Sequence, residues 1–347
     1  MNLYRFLIFS FLSVLLFSCS ENKKTDSFLI EIAHEKKKLQ AEDNLTISIH
    51  TQEKNIDSIQ YFYADQHLIS TKDEKPVEVK LTSPLGRQII SAKIFQNGKK
   101  HSTEKEITLY AEKKPTIYTY KVIKSHPHDI RAFTQGLEFY KDTLYEGTGH
   151  YGLSSLRKLD LETGKVLKET KLDRKYFGEG ITIMNDKIYQ LTWQEGVGFV
   201  YDINSFEKLK TFEYDKSSEG WGLCNDGEVI YKSDGTRKIW ILDPETLEEK
   251  HFIEPVTHNS FANRVNEMEY IDGKIYANTW QKDGVLIINP KTGAVEGLID
   301  FRGLKNKLNQ PEKAEVFNGI AYNEKTGKIY VTGKNWDKIF EVEIIKR

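Results

Sequence analysis

The chain has 347 residues, with 50 Lys and Arg against 51 Asp and Glu, and a formal net charge of −1. That balance excludes the basic footprint of a nucleic-acid binder or of a protein held electrostatically on an anionic membrane. The length accommodates about two domains at roughly 150 residues each, and 18 Tyr, 18 Phe and 5 Trp favour strands, where flat side chains pack well on a pleated surface.

The first residues read as an address. Arg5 precedes an apolar run over residues 6–17, too short for a comfortable membrane span and suited to the core of a signal peptide. The run ends in Leu16-Phe17-Ser18-Cys19, which resembles a bacterial lipobox. That resemblance implies removal of residues 1–18, lipidation of Cys19 and a mature chain anchored in the bacterial cell envelope, on the periplasmic side or at the outer membrane. Ser20 in place of a retention aspartate leans toward the outer membrane. The alternative is a plain signal peptide with an incidental cysteine. If Cys19 carries lipid, only Cys224 remains, so neither an intrachain disulfide nor a cysteine metal cluster is expected. Residues 19–26 are polar and aperiodic, as a tether would be.

Residues 27–112 alternate. Leu45-Thr46-Ile47-Ser48-Ile49, Val77-Glu78-Val79-Lys80-Leu81 and Ile107-Thr108-Leu109-Tyr110 each put one face on a core and one in water. Asn97-Gly98 predicts a tight hairpin turn. About seven such strands predict a small immunoglobulin-like β-sandwich, in which no chemistry is visible and which reads as a spacer or docking module.

Lys113-Lys114-Pro115 breaks the pattern, and beyond it the chain repeats. An apolar residue, then Asp160, Asp202, Asp243 or Asn289, then a polar turn recurs at intervals of 42, 41 and 46 residues. This is the period of four-stranded propeller blades. Counting on to Arg347 predicts a five-bladed β-propeller over 117–347, with the strand around Tyr118 free to complete the last blade and close the ring.

Several motifs in this region carry a resemblance. They are Pro127-His128-Asp129, Ala132-Phe133-Thr134-Gln135-Gly136-Leu137, Tyr145-Glu146-Gly147-Thr148-Gly149, Phe177-Gly178-Glu179-Gly180-Ile181 and Gln190-Leu191-Thr192-Trp193. Glu219-Gly220-Trp221-Gly222-Leu223, Ser233-Asp234-Gly235 and Asn266-Glu267-Met268-Glu269 follow, then Ala277-Asn278-Thr279-Trp280, Asn318-Gly319-Ile320-Ala321-Tyr322 and Val331-Thr332-Gly333-Lys334-Asn335-Trp336. In this order and spacing, residues 117–347 resemble the plant and bacterial glutaminyl-peptide cyclotransferases, which are five-bladed propellers. The resemblance implies conversion of the N-terminal glutamine of peptides to pyroglutamate with release of ammonia. It says nothing about residues before 112.

Such a cyclisation asks for little, because nucleophile and electrophile sit in one substrate. One carboxyl group that takes a proton from the amine and returns it to the leaving ammonia suffices. By the resemblance that group is Glu179, and the glycines on either side of it predict a backbone turn that exposes this side chain toward the central channel. Phe133, Phe177, Trp193, Trp221 and Trp280 would form an aromatic pocket that favours a neutral amine, although aromatics serve blade packing equally well. Gln135 and Asn266 can donate and accept, as recognition of an amide requires, and Lys334 can stabilise negative charge on the amide oxygen. Glu146, Glu219 and Glu267 are rivals; Glu146 and Glu219 read as structural partners of backbone amides or neighbouring blades. No cofactor is expected, with a structural divalent cation in the channel left open. His126-Pro127-His128-Asp129 has no further His or Cys to complete a metal site. Two other readings compete: a metal-dependent, lactonase-like propeller using Glu179, Asn266 and Asp234, and a non-catalytic propeller scaffold.

Overall fold

The computed structural model describes residues 27–347. The expected leader over 1–18, Cys19 and the tether lie outside the described residues.

Seven strands form the first unit: β1 (Phe28–Ala33), β2 (Asn44–Thr51), β3 (Ile56–Tyr63), β4 (Gln66–Thr71), β5 (Val77–Lys80), β6 (Gly86–Gln96) and β7 (Lys99–Leu109). They make one sheet in the order β1-β2-β5 and another in the order β4-β3-β6-β7. Period-two alternation turns Leu45 and Ile47 of β2, Ile59 and Tyr61 of β3, and Ile90 and Ile94 of β6 into one buried core. The hairpin between β6 and β7 turns on Asn97 and Gly98, both with positive φ (50° and 73°), as a two-residue turn matched to strand twist requires.

β8 (Thr116–Pro127) leads into five four-stranded blades. Blade one is β9 (Thr134–Tyr140), β10 (Thr143–Thr148), β11 (Ser155–Leu159) and β12 (Val166–Lys171). Blade two is β13 (Gly178–Met184), β14 (Lys187–Thr192), β15 (Val197–Asp202) and β16 (Lys208–Glu213). Blade three is β17 (Leu223–Asn225), β18 (Ile230–Ser233), β19 (Ile239–Leu242) and β20 (Glu249–Ile253). Blade four is β21 (Val265–Ile271), β22 (Lys274–Thr279), β23 (Gly284–Ile288) and β24 (Val295–Asp300). Blade five is β25 (Phe317–Asn323), β26 (Lys328–Gly333), β27 (Lys338–Lys346) and, from the other end of the sequence, β8.

The repeat has a local cause. In blades one to four the third and fourth strands are joined by a turn whose first side chain accepts a backbone N–H. Thr163 donates to Asp160 at 2.8 Å, Ser205 to Asp202 at 2.7 Å, Thr246 to Asp243 at 2.9 Å and Lys291 to Asn289 at 3.0 Å. Blade five has no such turn because its outer strand is β8, which pairs with β27 from Lys338↔Pro127 to Lys346↔Tyr118. β8 also pairs with β24 through Gly297↔Thr116, so one strand closes the ring and ties blade four to blade five.

The first unit does not hang free. Val256 of the propeller sits in the sandwich core, with Phe261 and Ala294 packed against it. Leu85 N–H donates to Thr292 O at 3.0 Å and Ala111 N–H to Thr257 O at 3.1 Å. At the centre of this contact the buried Glu254 carboxylate accepts the Arg87 N–H at 2.7 Å and lies 2.9 Å from Arg237 Nε. A simple spacer needs none of these contacts.

Candidate active site

One backbone hydrogen bond recurs where four of the blades reach the same end of the channel. Gly149 N–H donates to Phe133 O (2.8 Å), Trp193 to Phe177 (3.0 Å), Trp280 to Arg264 (3.0 Å) and Lys334 to Val316 (2.9 Å). Just inside each, the innermost strand carries an irregularity of register against its neighbour. A bulge of this kind re-aims a side chain. Two residues beyond each of the four carbonyls stands a buried polar side chain: Gln135, Glu179, Asn266 and Asn318. The repeat therefore places one buried polar group just inside the rim in each of these four blades, and Gln135, Glu179 and Asn266 among them line the channel mouth.

Gly178 and Gly180 around Glu179 serve a different purpose from the exposed turn expected of them. Both lie within β13. A Cβ on Gly178 would stand 2.7 Å from Thr148 O, and one on Gly180 would stand 2.6 Å from Gly222 Cα. The glycines let β13 lie against Thr148 of β10 in blade one and against the Trp221-Gly222-Leu223 stretch that opens blade three, and Glu179 is pressed into the mouth between those blades.

The resulting cavity, of about 380 Å³, is lined by Phe133, Gln135, Phe177, Glu179, Trp193, Glu219, Trp221, Gly235, Arg264, Asn266, Trp280 and Lys334. Glu179 and all eight residues expected to bind substrate meet here, drawn from all five blades. Phe177 packs on Phe133 and Trp193 at ring separations of 6.1 and 5.6 Å, and Trp221 meets Trp280 edge-on at 6.0 Å. Glu219 bridges the two aromatic groups: its Oε2 accepts the indole N–H of Trp193 and of Trp221, each at 2.8 Å. Read from sequence as a structural partner, Glu219 does join neighbouring blades, yet it does so inside the cavity wall. Its place two residues before Trp221 was the available signal. Arg264 was missed because its significance is positional: it occupies the place held by Phe133 and Phe177 in other blades.

Glu179 is only 5% exposed and accepts a hydrogen bond from Gln135 Nε2 at 2.9 Å. Burial pushes its carboxyl well above the usual range, the Lys334 charge opposes this, and Glu219 and Glu195 add to it. Lys334, also 5% exposed, is held below the usual lysine range by burial, against the pull of Glu179 and Glu315. Its Nζ lies 4.6 Å from the centre of the Phe133 ring. The Oε1 of Gln135 and the Oδ1 of Asn266 are buried without a hydrogen-bond partner, two acceptors available to a ligand's N–H groups.

The other carboxylates are occupied. Glu146 accepts from Thr134 Oγ1 (2.7 Å) and pairs with His128 Nε2 (3.0 Å). His128 also contacts the Trp336 carbonyl through Nδ1 (2.8 Å). Glu267 accepts the N–H groups of Leu137 and Ile320, at 3.2 and 2.9 Å, and so stitches three innermost strands together. Asp234 does not line the cavity; its oxygens accept from Thr236 N–H (2.9 Å) and Trp240 Nε1 (2.8 Å). The metal triad of Glu179, Asn266 and Asp234 is therefore not assembled. Among the described residues, no group of three or more His, Cys, Asp or Glu side chains is placed to hold a metal ion.

Comparison with known proteins agrees with this architecture. Residues 91–344 match the glutamine cyclotransferase family. The chain belongs to that family. A glutaminyl-peptide cyclotransferase of Arabidopsis thaliana is 40% identical over 230 residues, covering 65% of this chain and 71% of that one. The crystal structure of Myxococcus xanthus glutaminyl cyclase superposes with a TM-score of 0.62 at 34% identity. All of that chain is covered by 67% of this one, so this cyclotransferase carries additional chain that the Myxococcus structure lacks.

Proposed function

We propose that this chain is a glutaminyl-peptide cyclotransferase in which Glu179 moves the proton. The observation that carries the reading is a buried carboxyl of raised pKa, oriented by Gln135 and facing the buried Lys334 in an aromatic cavity open at one end. A scaffold has no use for two ionisable groups buried at a shared mouth, since burying each costs free energy.

In the proposed reaction the α-amine nitrogen of an N-terminal glutamine attacks its own γ-carbonyl carbon. The N–C bond forms while Glu179 takes a proton from the amine. The Lys334 ammonium stabilises the developing oxyanion. Glu179 then returns the proton to the amide nitrogen, the C–N bond breaks, and ammonia leaves with a five-membered lactam behind. The phenylalanine and tryptophan walls disfavour a charged ammonium and so hold the amine in its nucleophilic form. Gln135 Oε1 and Asn266 Oδ1 accept from the amine or the amide.

The test is direct. Incubation with a peptide bearing N-terminal glutamine should remove about 17 mass units, one ammonia, at a rate proportional to enzyme. Activity should persist after dialysis against EDTA, because the proton shuttle proposed here uses side chains alone; ammonia release lost on dialysis and restored by a divalent cation would overturn that shuttle in favour of a metal-assisted cyclisation.

The address at the N-terminus supports a second element of the proposal: a bacterial lipoprotein with its signal peptide over 1–18 removed, anchored through Cys19, facing the periplasm or the outer membrane. Its partners are then glutaminyl peptides and the bilayer that takes the lipid.

A further inference from the structure

Arg264 stands at the mouth of the cavity. Its carbonyl accepts from Trp280 N–H in the same bond by which the carbonyls of Phe133 and Phe177 accept in blades one and two. The blade repeat thus places a cation where two other blades place a phenyl ring. Two residues further in is Asn266, as Gln135 and Glu179 lie two residues inside their phenylalanines. The backbone is held in the left-handed region (φ 57°), with Arg264 N–H donating to Thr236 O at 2.9 Å. The guanidinium lies 4.8 Å from the centre of the Trp280 ring. The side chain is exposed, and among the described residues no carboxylate lies within ion-pair distance of it.

Two carboxylates at this end of the channel are otherwise engaged. Glu219 is held by two indoles, and Glu195 accepts from Tyr151 Oη at 2.9 Å. A peptide whose first residue reaches Glu179 has to leave through this mouth, so its second and third residues pass the rim. We infer that Arg264 is a specificity-determining residue that favours substrates carrying a carboxylate just after the N-terminal glutamine. That carboxylate is either an acidic side chain at the second or third position or the free C-terminus of a dipeptide. The stack on Trp280 holds the planar guanidinium in place, and its fork suits a carboxylate. The inference rests on the cyclase reading given above.

The experiment compares kcat/KM for Gln-Ala-Ala-amide, Gln-Glu-Ala-amide, Gln-Ala-Glu-amide, Gln-Ala and Gln-Ala-amide, using the full chain and its Arg264→Gln and Arg264→Glu variants. The parent should favour at least one carboxylate-bearing peptide over its neutral counterpart by about two- to fivefold, the range of a solvent-exposed ion pair. The preference should shrink as salt is raised. It should fall to about one in Arg264→Gln and invert in Arg264→Glu. The two acidic peptides and the dipeptide pair separate a side-chain carboxylate from a chain terminus. A carboxylate-to-neutral ratio that is the same in parent and both variants overturns the inference while leaving the cyclase reading intact. Failure of the parent to release ammonia from any of the five removes both.

Discussion

Gln135, on the innermost strand of blade one, donates through Nε2 to Oε1 of Glu179 on the innermost strand of blade two, at 2.9 Å. The bond crosses a blade boundary and joins residues 44 apart in sequence. A neutral amide can hold the carboxyl through both halves of a proton transfer, because it donates to the same oxygen whether or not the other is protonated.

Replacing Glu179 by Gln keeps the shape and removes the proton. kcat should fall by about 10² to 10⁴, the usual contribution of general acid–base catalysis, with a smaller change in KM. The same variant carries a stability signature. The folded carboxyl is raised above its ordinary value of 4.5, so the folded state holds its proton more tightly and the parent loses stability as pH climbs from about 4.5 toward the folded value. Glu179→Gln escapes this loss. Its melting temperature should exceed the parent's at pH 8, and the gap should close toward pH 4.

Glu219→Ala removes the single oxygen shared by the Trp193 and Trp221 indoles. Hydrogen bonds to a charged group contribute about 1.5–3 kcal/mol each when buried, and less at this partly exposed position. KM for a glutaminyl peptide should rise about tenfold, equivalent to about 1.4 kcal/mol, with kcat less affected. Tryptophan emission should shift to the red as the indoles gain water. Unchanged KM would show that the walls keep their places without this carboxylate.

Glu254→Ala strips the interface between the first unit and the propeller of its central acceptor, leaving Arg87 N–H and Arg237 without a partner. A buried donor left unsatisfied costs about 1–3 kcal/mol. Thermal unfolding should move to lower temperature or split into two transitions, and limited proteolysis should begin near residue 112. A single transition at the parent's temperature would mean that the shared apolar contact around Val256 is sufficient alone.

Cys19→Ser should shift the chain from the detergent phase to the aqueous phase, or leave its leader uncleaved. Unaltered partitioning of the variant would remove the lipid anchor and leave the proposed chemistry of the propeller untouched.

Much of the propeller was legible along the chain because its causes are local. The turns opening at Asp160, Asp202, Asp243 and Asn289 cap themselves with their own side chains, so their period appears directly as a blade count. Alternation in β2 and β5 marks two-faced strands without reference to any partner. The motif residues from Phe133 to Lys334 were also recognisable one by one, and the structure brings them to a single cavity. Glu179 was harder to place. Gly-Glu-Gly suggests a backbone turn, and only the approach of chain segments from the two neighbouring blades shows why glycine is needed there.

By itself, the sequence determined an all-β chain, the blade period, the strand that completes the last blade and the residue types able to do the chemistry. These follow from alternation and turn chemistry within a few residues of one another. Tertiary structure decided which carboxylates are occupied and which is buried and available, that Glu219 ties two indoles, that Arg264 takes a rim position, and that the first unit is docked through Glu254. Each of these depends on partners brought from another blade or another unit, up to 167 residues away in the case of Arg87 and Glu254. Burial and pairing between such positions are set by the closure of the ring and the packing of the sandwich against it, and no local pattern of residues encodes them.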